Sequence, residues 1–294
     1  MVSLIRAEWT KAIKNYKLTS FLVWVFPVSQ VAWYAIIILL GLFVSSASVE
    51  IMLMSAGDWT KDMVGVWNLV ITFPFNVFGR MLPLAFMAVV FAGEYQWSTW
   101  KNIVPRSRRW KLILAKYISL TGLLMLALIL TSLISGLGQV LAHAVLDKPY
   151  GPELTGKAFF DFLTRYSEYA LLGSLSLLIL AGFAALSALL SRSMLGTLLI
   201  GFAFAVLEPL SLGVLGIFAN LFNKPEITNL YMFTPSYHLD NALSWFTAQQ
   251  PLLPPFIHFT TEFGLGASLA ILAGWIALLI VVTIYIFQKQ DITS

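Results

Sequence analysis

Gly93-Glu94-Tyr95-Gln96-Trp97-Ser98-Thr99-Trp100-Lys101, followed by Arg106-Ser107-Arg108-Arg109, is a charged, tryptophan-rich island between two stretches apolar enough to cross a bilayer. Six of the chain's 18 Lys and Arg residues lie between Lys101 and Lys116. Basic residues in short loops between spans collect on the cytoplasmic side, so this loop sets the orientation of everything around it.

The composition fits that setting. Hydrophobic residues make up 59% of the 294 and charged residues 11%, against roughly 25% charged in soluble domains. Cysteine is absent, which excludes disulfides, thiolate catalysis and cysteine metal sites. The whole chain, 1–294, reads as one transmembrane domain.

Apolar runs of about 20 residues give six expected spans, near 18–44, 66–92, 113–145, 168–190, 194–222 and 263–287. With the N-terminus inside, the inner segments hold 12 basic residues: four before the first span, six in the central loop, Arg192 and Lys289. The outer loops hold five: Lys61, Lys148, Lys157, Arg165 and Lys224. Both termini are expected in the cytoplasm, in the inner (cell) membrane. The run after residue 17 is too long for a signal-peptide core and ends in no small-x-small site, so an uncleaved start is expected.

Residues 1–17 place Ile5, Trp9, Ala12, Ile13 and Tyr16 at helical spacing, with Arg6, Lys14 and Lys17 on other faces. That is the pattern of an amphipathic helix in the headgroup layer. Residues 45–65 and 147–167 read as outer connections of ordinary size. Segment 223–262 interleaves aromatic residues with Pro235, Pro251, Pro254 and Pro255, which predicts short re-entrant helices before the last span. Ser191-Arg192-Ser193 joins the fourth and fifth spans tightly. Ala181, Ala184, Ala185 and Ala188 give the fourth span a small-residue face for close packing.

Few residues point to chemistry. Gly151-Pro152-Glu153-Leu154-Thr155-Gly156-Lys157-Ala158 imitates a phosphate-binding loop but lacks the final hydroxyl and follows no strand. His143, His238 and His258 match no ligand spacing, and no nucleophile elbow or H-E-x-x-H pattern occurs. No metal or cofactor is expected in this chain.

Two charges fall inside spans, where each costs about 2.5–3.5 kcal/mol at the bilayer centre. Glu208, followed by Pro209, sits mid-way along the fifth span. It reads equally as part of a polar path or as a group bonded to a neighbouring helix. Arg80, flanked by Pro74 and Pro83, falls in the outer half of the second span, where it can snorkel. A pairing of the two is open.

In the central loop, Trp97, Trp100 and Val104 recur at i, i+3 and i+7, which predicts a short helix with one apolar face, ended by Pro105. Such a helix can fit a partner's groove; the plain alternative is a topogenic basic loop. The arrangement Glu94-Tyr95-x-x-Ser98-Thr99, Pro105, Arg108-Arg109 and Lys116 at the start of a span resembles the membrane subunits of type-2 ATP-binding cassette (ABC) transporters. In that family the second span ends in Glu-Tyr-x-x-Gly-Thr; here Ser98 takes the place of Gly. The opening Leu4-Ile5-Arg6-Ala7-Glu8-Trp9-Thr10-Lys11 and the 191–193 connection are similar too.

The resemblance implies an all-α polytopic protein with a coupling helix in 93–112, docked on a cytoplasmic ABC ATPase subunit. ATP and Mg would belong to that partner, and the permease would act as a homodimer or with a related permease. It assigns coupling to Glu94, Trp97, Trp100, Arg106, Arg108 and Arg109, and makes Glu208 and Arg80 candidates for the path. Membrane lipids are the other expected partner; nucleic acid is not. The competing readings are an ATP-independent secondary transporter or channel centred on Glu208, and a non-transporting membrane anchor for a soluble partner.

Overall fold

The computed structural model describes residues 1–15, 17–43, 57–72, 77, 79–145, 148–252 and 262–291. The described residues are helical apart from turns, loops and a single bridge between Asp58 and Gly151. Helix α1 (Val2–Thr10) runs through a π-helical turn (Lys11–Asn15) toward α2 (Lys17–Phe43). Two short helices follow, α3 (Trp59–Gly65) and α4 (Asn68–Ile71), then α5 (Met81–Gln96) and the one-turn α6 (Trp100–Ile103). The long helices α7 (Arg109–Val145), α8 (Gly156–Ser191) and α9 (Met194–Leu221) come next. A 3-10 segment (Pro225–Phe233), α10 (Pro235–Ala248) and α11 (Leu265–Lys289) complete the described chain.

Five of these, α2, α7, α8, α9 and α11, are long and apolar enough to cross a membrane. The expected second span, 66–92, does not form one such helix, so five candidate spans stand among the described residues where six were expected. Its first part is α4, which stops at Thr72, where the backbone turns extended (ψ 139°). Helix α5 then has 16 residues, about 24 Å, short of the ~20 residues a span requires. Pro83 lies in its first turn, where a missing N–H costs no helical bond, so this proline marks a beginning. Pro74 lies outside the described residues, as do Tyr16, Pro254, Pro255, Phe256, His258 and Phe259. At Gly79 a Cβ would stand 1.9 Å from the Leu69 carbonyl oxygen; only glycine permits that approach of the two backbones.

The other expected spans are present, two of them longer. Helix α7 has 37 residues and α8 has 36, or about 55 Å each, more than a core of about 30 Å. Lys157, Asp161 and Arg165 interrupt the apolar run in the first turns of α8, so the helix begins well before the apolar stretch 168–190. Thr155 caps that start by accepting the Ala158 N–H at 3.2 Å.

The core forms where α5, α7, α8 and α11 meet, around Phe86, Met87, Tyr117, Leu123, Leu124 and Leu177. The expected alanine face of α8 is inside it: Ala181, Ala184, Ala185 and Ala188 are all buried. A Cβ at Gly182 would meet Leu279 at 2.7 Å, so small residues let α8 and α11 pack closely. Helix α1 lies along α7, and in the π-helical turn after it Ala12 is buried and Ile13 packs on the core. Helix α10 is fastened to the start of α11, since Asn241 Nδ2 and Trp245 Nε1 both donate to the Phe263 carbonyl at 2.9 Å.

Candidate functional site

The central loop begins with a defined helix stop. At the end of α5, Ser98 adopts φ 54°, in the left-handed region. The Thr99 N–H returns to the Glu94 carbonyl at 3.0 Å and the Ser98 N–H to Tyr95 at 3.1 Å. These two bonds around a left-handed residue are a Schellman motif, whose left-handed position favours glycine. Ser98 therefore holds the conformation that Gly would take at less cost.

That stop changes the expected amphipathic helix. Trp97 and Trp100 lie on either side of it and do not share a face. Trp97 is 45% exposed, its ring folded over Gly93. Trp100 is buried, 4.7 Å from the Phe287 ring of α11 and 5.9 Å from the Tyr95 ring. The loop's own helix is the single turn of α6, followed by a 3-10 turn (Val104–Arg106) that contains Pro105. Pro105 lies inside that 3-10 turn, just past the end of α6 at Ile103.

Beneath the loop lies a charge cluster. The Lys116 Nζ is 2.9 Å from Glu94 Oε1 and 2.8 Å from Glu8 Oε2. Lys11 Nζ reaches the same two carboxylates at 3.0 and 3.2 Å. Lys116 also donates to the Val90 carbonyl at 3.3 Å and stands 5.4 Å from the Trp100 ring centroid, and Thr99 Oγ1 donates to Glu94 Oε2. Lys116 is 1% exposed. A buried ion is tolerated only when paired and hydrogen-bonded, and each of these four has two opposite partners. The cluster joins α1, α5 and α7 at one point. In the sequence, Glu8, Lys11 and Lys116 stand out only as parts of the family-like pattern, with no role attached to them. The signal was a lysine inside the apolar run Leu112–Ile118.

Arg109 has a different task from Arg108. Its guanidinium donates to the carbonyls of Phe287, Gln288 and Gln290 at 2.8–2.9 Å, closing the C-terminal end of α11. A cation at that end complements the helix dipole. Tyr95 Oη donates to Gln290 Oε1 at 2.6 Å, and Gln290 Nε2 to the Leu189 carbonyl at 2.8 Å. Arg108 and Lys101 are exposed. The side chain of Arg106 lies outside the described residues. A cleft of about 200 Å³ opens among Tyr95, Ser98, Lys101 and Arg192.

Farther along the bundle, the two charges left open in the sequence do meet. Arg80 Nη1 stands 3.5 Å from Glu208 Oε2, and Arg80 Nε donates to the Val70 carbonyl at 3.1 Å. Arg80 is buried and does not snorkel. The Glu208 carboxylate also accepts the Ser236 N–H and the Ser236 hydroxyl, both at 2.6 Å, in the first turn of α10. It satisfies an N–H with no partner inside the helix, at the positive end of the dipole. Arg80 and Glu208 therefore tie α4, α5, α9 and α10 together.

His238 is a packed residue: it is fully buried, its Nδ1 lies 3.1 Å from Ser268 Oγ, and burial pushes its imidazole down to about 4. Among the described residues, no group of three or more His, Cys, Asp or Glu is placed to hold a metal.

Long apolar helices, a basic loop between them and buried intramembrane charges define a multi-pass helical membrane protein. A family model described as ABC-2 family transporter protein matches residues 4–208. That is more than half of the chain, which belongs to the ABC-2 transporter family as its membrane component. Comparisons with curated proteins and with solved structures gave no match. Membrane domains of this family are typically non-catalytic permeases and generally pair with ATPase subunits.

Proposed function

We propose that this chain is the permease of an ABC exporter, as a homodimer or with a related permease, driven by a separate cytoplasmic ATPase subunit that carries ATP and Mg. Both termini and the 93–112 loop then face the cytoplasm of the inner membrane. The observation that carries the reading is the anchoring of the loop. Glu94 binds it to Lys11 at the end of α1 and to α7, Trp100 and Arg109 bind it to α11, and Tyr95 reaches the α8 end through Gln290. A displacement of the loop is thereby delivered to four helices together, because a close-packed joint passes on motion that a free loop would absorb.

In this reading Trp97, Lys101 and Arg108 present the docking face, and the cleft beside Arg192 adjoins it. Glu94, Trp100 and Arg109 transmit, and Arg106 contributes charge. Arg80 and Glu208 form a hinge post that holds the short α10 against the bundle, beside any path at the dimer interface.

The test uses the chain with its ATPase, reconstituted in vesicles. Arg108→Glu is expected to reduce ATPase co-purification and ATP-driven transport by about tenfold or more, the loss of roughly 1.4 kcal/mol of docking energy. Unchanged complex and transport would sink the coupling assignment. Transport by the chain alone under an ion gradient would favour a secondary transporter.

A further inference from the structure

At the end of the bundle away from Ser191, a cavity of about 280 Å³ opens between α3, α4, α8 and α10. Arg165, Glu168 and Tyr169 line it from α8, Lys61 and Asn68 from α3 and α4, and Phe246 from the end of α10. Its volume is near the lower end for small-ligand pockets. From Glu168 to Ser191 the continuous helix α8 rises about 35 Å, slightly more than a hydrocarbon core of about 30 Å. With Ser191 at one membrane boundary, the cavity lies at headgroup depth at the other.

The charged groups there are open to solvent: Arg165 and Lys61 are exposed and Glu168 is half-buried. Arg165 and Glu168 stand one helical turn apart, and neither makes an ion pair with a described residue. Lys61 reaches Asp58 at 3.6 Å but keeps 77% of its side chain exposed. Two cations match a phosphate, which a guanidinium can grip with paired N–H donors. The Glu168 carboxylate matches a primary ammonium, which offers three donors and no acceptor. Tyr169 and Phe246 supply apolar wall.

We infer that this cavity binds a phosphate–ammonium zwitterion of the ethanolamine type. Two sources carry that chemistry, a lipid headgroup and a soluble phosphodiester. The inference is independent of ATP coupling and is tested without it.

The purified full chain in detergent is titrated, with native mass spectrometry as readout, against dihexanoyl phosphatidylethanolamine, its choline and glycerol counterparts, and glycerophosphoethanolamine. The ethanolamine lipid is expected to bind about tenfold tighter than the other two lipids, a difference near 1.4 kcal/mol. Choline cannot donate hydrogen bonds and glycerol carries no cation. Competition by glycerophosphoethanolamine at similar concentration supports a soluble ligand; binding of the lipid alone supports a membrane source. Glu168→Gln should abolish the ethanolamine preference, and Arg165→Gln should weaken all three lipids. Lys61→Gln, at a mostly exposed side chain, gives the same reading as Arg165→Gln should that variant fail to fold. Equal binding of the three lipids, or a preference that survives Glu168→Gln, overturns the inference.

Discussion

Lys116 and Glu94 meet at 2.9 Å although they stand 22 positions apart, one on each side of the central loop. The pair closes the loop at its base, and Glu8 and Lys11 complete it from the first helix.

Removing the ammonium leaves two buried carboxylates facing Lys11 alone. Lys116→Ala is expected to destabilise the protein by about 3–5 kcal/mol, the usual cost of breaking a buried pair from one side. The triple variant Lys116→Met, Glu8→Gln, Glu94→Gln should recover much of that loss. Chemical denaturation in detergent measures both; a Lys116→Ala chain as stable as its parent would show that the cluster contributes little.

Ser98 offers a gain. A left-handed φ costs an L residue with a side chain about 1–2 kcal/mol, and glycine is free of that cost. Ser98→Gly should raise stability by up to about 1 kcal/mol, less the extra freedom glycine gives the unfolded chain. Ser98→Val should lower it. A fall in melting temperature for the glycine variant would contradict the motif.

The neighbouring arginines should separate cleanly. Arg109→Gln loses charged hydrogen bonds to three carbonyls, each bond to a charged group being worth about 1.5–3 kcal/mol, with partial exposure placing the total near the low end. Arg108→Gln is expected to stay within about 0.5 kcal/mol of the parent. Hydrogen exchange at 285–290 should rise for the first variant alone.

Glu208→Ala strips Arg80 of its counter-ion and Ser236 of its acceptor. The expected loss is about 3–5 kcal/mol, with early proteolysis in 223–252 as α10 comes free. Arg80→Met with Glu208→Gln should restore protection, because glutamine still accepts from Ser236. Protection by Glu208→Ala equal to the parent's would remove the hinge post.

His238 sets a pH dependence. Its folded value, about 4, lies below the ordinary 6.5, so between these the unfolded chain holds a proton that the folded chain does not. Its contribution is fully present above 6.5 and is lost as the pH falls toward 4. Melting temperatures measured across that window should fall with acid, and His238→Asn should flatten the slope.

Most of the helical framework could be read from apolar length, because a bilayer demands nearly uniform runs and α2, α7, α9 and α11 supply them. The second span escaped that reading, since its apolar run spans a backbone break at Thr72 that hydropathy averages over. The Trp97–Val104 face failed for a related reason: periodicity assumes continuous helix, and one left-handed residue at 98 cancels it. Glu208 and Arg80 were legible as costly charges, and their union was open because sequence carries no distance. The cluster around Lys116 was the largest gap, as three of its members looked like ordinary boundary residues.

The four charges of that cluster sum to zero. At a distance they cancel, so they cast almost no field into solution and ionic strength hardly reaches them. Lys101 and Arg108, by contrast, are exposed to solvent, where their field is screened within about 8 Å at physiological salt. The loop thus divides into a rivet blind to salt and a lure tuned by it. Ionic strength alone can loosen what the loop attracts while leaving intact what holds the loop.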